Sequence, residues 1–161
     1  IRDKFKENFD KVVINFEHSF RELFGGGHAE LRLEDESDPL SSGIEIIAQP
    51  PGKKLKNLNL MSGGEKTLTA IALMFAVIKA KPTPFCILDE VEAALDEANI
   101  ERFSNYLKRF EDVQFALITH HKATMEHADV LYGVTMPEQG ISRVLSLKFE
   151  DGFDPSEYSN E

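Results

Sequence analysis

Two short apolar runs, FCILDE (residues 85–90) and QFALIT (114–119), constrain this chain more than any other feature. Each is strand-sized and closes on polar groups, the form of a strand buried on both faces of a sheet. Between them, EANIERFSNYLKRF (97–110) sets Ile100, Phe103, Leu107 and Phe110 at helical spacing. Strand, helix, strand in that order predicts a parallel pair joined by a crossover helix. The class expected is α/β, with a mostly parallel central sheet.

The flanking segments add helices and antiparallel hairpins. Ile1, Phe5, Phe9, Val12, Val13, Phe16, Phe20, Leu23 and Phe24 recur in steps of three and four, which predicts an amphipathic helix over 1–24. The glycines 25–27 end it, because glycine readily adopts the left-handed conformation of a helix exit. AELRLED and GIEIIAQ, separated by ESDPLSS, read as a hairpin over 29–50, and PPGKK follows as a loop. From Leu68 to Ile78 the chain is apolar almost all round, which predicts a helix buried on every side, and KPTP stops it. THHKATMEHAD reads as a loop with one helical turn. VLYGVTM and ISRVLSL flank PEQG as a second hairpin, with a final strand over 137–149. The acidic residues 150–161 are expected to fray.

Composition narrows the function. With 161 residues the chain is one domain's worth, and its net charge of −10 argues against a broad nucleic-acid-binding surface, though not against a local basic patch. No apolar stretch is long enough to span a bilayer. The single cysteine, Cys86, gives no internal disulfide, suits a reducing cytosol and reads as an inert core thiol. The chain opens without Met inside a helical pattern, which predicts a fragment of something longer.

LNLMSGGEKTLTAIALMF (58–75) has the ingredients of a phosphate-cradling loop in the wrong order. That loop needs G-x-x-x-x-G-K-[ST], whereas here Gly63 and Gly64 precede Glu65, Lys66 and Thr67, and Leu60 stands where the first glycine belongs. Ser62 and Glu65 instead have the spacing of a capping box, which starts a helix. Two readings share this geometry. One is an ordinary cap with glycines easing the turn; the other is an anion site, where exposed amides, a serine hydroxyl and two bare glycines admit a phosphate held mainly elsewhere.

Asp89 and Glu90 end an apolar strand, at the carboxyl edge where α/β sheets bind ligands. Asp89 suits Mg²⁺ held through water, and Glu90 suits a base that takes a proton from an attacking water. The plainer alternative is that both acids cap the following helix. Glu92 and Glu97 read as a solvated face, and Asp96 is ambiguous by itself. His120 follows the second strand and is expected at the same sheet edge, or else as a satisfied core or loop histidine. His121 and His127 read as surface residues, and the spacing of the three fits no usual zinc pattern.

LMSGGEKTLTAIALMFAVIKAK, FCILDEVEAALDEAN and ITHHKATMEHADVLYGVTM, in this order, resemble the C-terminal half of the ATPase head of the structural maintenance of chromosomes (SMC) family, a branch of the ABC-type ATPases. FRELFGGGHAEL and GIEIIAQPPGKKL also look like bacterial SMC, so the resemblance covers nearly the whole chain. It implies one C-terminal head lobe over 1–161, in which 1–24 is the helix arriving from a coiled coil and 58–136 carries the signature, Walker B, D-loop and switch regions. MSGGE resembles the ABC signature, with Met61 where leucine is usual. Ser62, Gly63, Gly64 and Glu65 would then meet ATP held by the opposite head, and Asp96 would work across the dimer interface. Asp89 would hold Mg²⁺ through water, Glu90 would be the catalytic base, and His120 would match the switch histidine. His121 stands where arginine is frequent. The implied partners are the N-terminal half of the same head, a second head in an ATP-dependent homodimer, and the C-terminal winged-helix domain of a kleisin. DNA would be met through the full complex, in the cytoplasm at the nucleoid and without a membrane. Because the phosphate loop belongs to the family's N-terminal half, the fragment alone is expected to be inactive. Two alternatives are a pure kleisin-docking module and a related ABC-type head from DNA repair or a transporter.

Overall fold

The computed structural model describes residues 1–148, without the side chains of Lys56 and Asn57, so the tail expected over 150–161 lies outside the described residues. The chain divides at Ile118 into two compact units.

In the first unit, α1 (Arg2–Phe24) turns Phe16, Ser19, Phe20 and Leu23 inward and ends at Gly25, whose φ of 70° is left-handed. The Gly26 amide closes that end by donating to the Arg21 carbonyl at 2.8 Å. β1 (His28–Leu33) and β2 (Ile44–Gln49) form the expected antiparallel pair, with Leu31 opposite Ile46. A third strand, β3 (Lys56–Asn57), extends this sheet beside β2. Two residues carry no readable alternation, which is why the sequence shows only a loop there. A 3-10 turn (Leu58–Leu60) leads into α2 (Gly63–Ala80), which packs on α1.

β4 (Phe85–Asp89) and β5 (Gln114–Ile118) lie parallel, Asp89 opposite Ile118, with α3 (Glu97–Leu107) as their crossover. The core between helices and sheet centres on Phe75, whose ring meets those of Phe103, Tyr106, Phe110 and Phe115 at centroid distances of 5.0 to 6.2 Å. A buried hydrogen bond of 2.8 Å joins Ser19 Oγ on α1 to Tyr106 Oη on α3. Such a pair satisfies two hydroxyls that burial would otherwise penalise. Phe110, half-buried, joins this ring cluster but not the helix, since α3 stops at Leu107.

Three expectations about burial in this unit are corrected. β4 and β5 are covered on one face only: Cys86 and Leu88 point inward, while Phe85 (62% exposed), Ile87 (63%) and Ile118 (54%) stand bare. α2 likewise buries Leu68, Ile71, Ala72, Phe75 and Ala76 yet leaves Ala70 and Val77 exposed. In both cases the apolar pattern calls for material on a second side that the described residues do not provide. Glu92, read as solvated, is 1% exposed, because the turn after β4 folds it inward.

The second unit holds α4 (Lys122–Met125), the single helical turn expected, and an antiparallel hairpin of β6 (Val130–Glu138) and β7 (Ile141–Lys148). β6 continues through Pro137 and Glu138 with a register irregularity after Thr135, so the last strand begins at Ile141 rather than at 137.

Candidate functional site

The start of α2 is built as the sequence predicts. Ser62 is the N-cap, extended at ψ 162°, and its Oγ accepts from the Glu65 amide. In return, Glu65 Oε2 accepts from the Ser62 amide at 3.0 Å and from its hydroxyl at 2.9 Å. The first helical bond runs from the Lys66 amide to the Ser62 carbonyl at 2.9 Å, so the amides of Gly63 and Gly64 have no acceptor within the helix. They form the positive end of an 18-residue helix dipole. A Cβ at Gly63 would meet nothing within 4 Å, which leaves the approach open to a ligand. Met61, 6% exposed, anchors the turn in the core.

Lys53 was not singled out by sequence reasoning, yet it completes this cluster: its Nζ donates to Glu65 Oε1 at 2.6 Å. That hydrogen bond, followed by the Ser62 amide, holds the Glu65 carboxyl down at about 2. No local signal links a loop lysine to a glutamate twelve positions later; the link exists only once PPGKK folds back.

Asp89 ends β4 with its side chain exposed. Glu90, also exposed, has φ 46°, the one positive value outside glycine among the described residues. Its amide donates to the Ile118 carbonyl at 2.9 Å, and its own carbonyl accepts from Ala93 at 3.1 Å. The kinked turn therefore ties the ends of β4 and β5 together. Asp96, not Asp89 or Glu90, caps α3, accepting from the Asn99 amide at 2.9 Å.

The two clusters meet. A Cβ at Gly64 would lie 3.2 Å from the Ala94 carbonyl oxygen, so the head of α2 abuts the turn that carries Glu90 and Asp96. His120 lies in the second unit, with its ring 4.4 Å from that of His121. His121 and His127 are half-buried rather than on the surface, because the chain coils around α4 and His127 Nδ1 donates to the Ala123 carbonyl at 2.8 Å.

Among the described residues no group of three or more His, Cys, Asp and Glu is placed to hold a metal. A lone strand-end carboxylate such as Asp89 nevertheless suits magnesium, which keeps its waters and takes few protein ligands. No described helix is long and apolar enough to cross a membrane.

The profile of the family described as RecF/RecN/SMC N terminal domain matches residues 3–143. The chromosome partition protein Smc of Bacillus subtilis (strain 168) is 63% identical over 149 residues, which are 92% of this chain and 13% of that protein. The chain thus spans about an eighth of the length of that relative. A chain solved in work on the ATP-driven dimerization and DNA-stimulated activation of SMC ATPases superposes with a TM-score of 0.83 at 42% identity, covering 92% of this chain and 90% of that one. An Smc head bound to the C-winged helix domain of ScpA superposes with a TM-score of 0.85 at 43% identity, covering 92% of this chain and 46% of that one.

Proposed function

We propose a function from one premise: the chain belongs to the RecF/RecN/SMC N-terminal-domain family. It is the C-terminal lobe of an SMC ATPase head, which completes ATP binding and hydrolysis when two heads engage, in chromosome condensation and segregation at the nucleoid. Coverage of 46% of a solved Smc head supports a half-head, and the order of signature, Walker B and D-loop without a phosphate loop supports this half. The observation that carries the reading is the packing of Gly64 against Ala94, which sets a helix N-terminus open to anions beside the turn bearing Asp96, the two elements that act across the dimer.

Magnesium-bound ATP supplies a γ-phosphate open to attack by water, a reaction that depends chiefly on positioning and charge. Ser62 with the amides of Gly63 and Gly64 binds the γ-phosphate of the ATP held by the opposite head, whereas Asp89 and Glu90 serve the nucleotide of their own head. Asp89 holds the magnesium through water. Glu90 takes the proton from the attacking water, held at the strand end by its bond to Ile118. Asp96 works across the head–head interface, and His120 is the switch group near the γ-phosphate. With the parts divided between two heads, hydrolysis depends on their meeting, and release of the heads opens the coiled-coil arms and moves DNA. The bare faces of β4–β5 and α2 accept the N-terminal half of the same head.

The test mixes this chain with an N-terminal lobe bearing the phosphate loop and follows phosphate release. Turnover that rises steeply with protein concentration and falls about 100-fold or more in Glu90→Gln is expected. No turnover from a folded, ATP-bound pair would sink the catalytic reading.

A second reading, docking of a kleisin winged-helix domain, is favoured by the β6–β7 hairpin. Tyr132, Val134, Met136, Val144 and Leu145 are all more than 60% exposed on it, and the similar Smc head is bound to the C-winged helix domain of ScpA. Loss of kleisin pulldown in Val144→Glu is expected; retention would count against it.

A further inference from the structure

Lys53 lies outside the signature, Walker B and D-loop segments, yet its ammonium reaches the cap of α2. The loop does not need that side chain for its shape: the Lys53 amide donates to the Pro50 carbonyl at 3.1 Å, and Gln49 Nε2 donates to the Lys53 carbonyl at 2.9 Å. The ammonium is spent on Glu65 Oε1, at 2.6 Å, while Glu65 Oε2 engages the amide and hydroxyl of Ser62. The Ser62 hydroxyl hydrogen is therefore already committed to Glu65. A phosphate oxygen arriving at the α2 terminus must win that hydrogen and also approach a carboxylate of like charge. Repulsion between such charges is strong in partly dehydrated surroundings.

We propose that Lys53 is a positioning residue for γ-phosphate binding: through Glu65 it releases the Ser62 hydroxyl to the phosphate and cancels the carboxylate charge beside it. Drawn towards Oε1 by the ammonium, the carboxylate becomes a weaker acceptor at Oε2, and the hydroxyl turns outward at lower cost. The proposal rests on the reading of the α2 terminus as the wall of a nucleotide site completed by a second head.

The test uses the complete SMC protein and measures turnover against ATP concentration. Lys53→Met is expected to raise the half-saturating ATP concentration about fivefold, the scale of one partly exposed ion pair, with saturated turnover changed by less than about twofold. Lys53→Arg, which keeps the charge, should restore the wild-type value. In a Glu65→Gln background, Lys53→Met should have almost no effect, because the charge it offsets is gone. An equal shift in both backgrounds would overturn the proposal, since Lys53 would then act on the phosphate directly. So would no shift at all, in a protein where Ser62→Arg and Glu90→Gln abolish turnover. If neither Ser62→Arg nor Glu90→Gln impairs turnover, the nucleotide-site reading fails, and the role of Lys53 fails with it.

Discussion

Gly64 and Ala94, thirty positions apart, touch: a Cβ on the first would stand 3.2 Å from the carbonyl oxygen of the second. Alanine at 64 gains helix propensity of about 0.5–1 kcal/mol and asks the Ala94 turn to yield by a few tenths of an ångström. Gly64→Ala should therefore leave stability nearly unchanged. Gly64→Val adds two methyls to a Cβ that is already tight against that carbonyl and should cost about 1–3 kcal/mol. Thermal unfolding of both variants checks the contrast, and a valine variant as stable as wild type would show that the contact is loose.

Acid should weaken the start of α2 through Glu65. Its folded carboxyl lies near 2, below its ordinary 4.5, so the stabilisation is full above about pH 4.5 and is lost as pH falls towards 2. The stability gap between wild type and Glu65→Gln should narrow across that window and be constant between pH 6 and 7. A gap independent of pH would remove the ion pair as its cause.

Glu90 has a backbone conformation that glycine holds more easily. Relief of a left-handed φ should make Glu90→Gly more stable by about 0.5–1 kcal/mol, while Glu90→Gln, which keeps the Cβ, should match wild type. Both should lose turnover in the assembled head. Calorimetry on the lobe separates strain from chemistry, and a destabilised glycine variant would mean that the turn holds Glu90 without strain.

Ile87 and Leu88 are neighbours on β4 with opposite surroundings, 63% and 4% exposed. Leu88→Ala should cost about 2–4 kcal/mol through the cavity it leaves. Ile87→Thr should barely change the stability of the lobe, yet weaken pairing with an N-terminal lobe and reduce self-association of the lobe alone. Unfolding and sedimentation together read both effects. Pairing that is indifferent to position 87 would place the missing half elsewhere.

The legible part of the site was its local part. Ser62 and Glu65 announce a cap because their spacing alone brings hydroxyl and carboxylate to each other's amides. Asp96 could not be separated from its neighbours until the helix start at Glu97 made it the cap. Glu92 was misjudged because a tight turn, not a periodic pattern, decides its direction. Lys53 went unnoticed because its partner lies in another segment.

By itself the sequence determined the α/β class, the two hairpins, the parallel crossover, the glycine end of α1 and the cap of α2. Each follows from repeats and spacings a few residues long, where backbone geometry dictates which side chains share a face. Tertiary structure alone decided that Gly64 meets Ala94, that Glu90 sits at φ 46°, and that Lys53 closes on Glu65. It also decided which apolar faces stay bare. An apolar run records that a surface must be buried, but what buries it depends on packing between distant segments, or on a partner outside the chain.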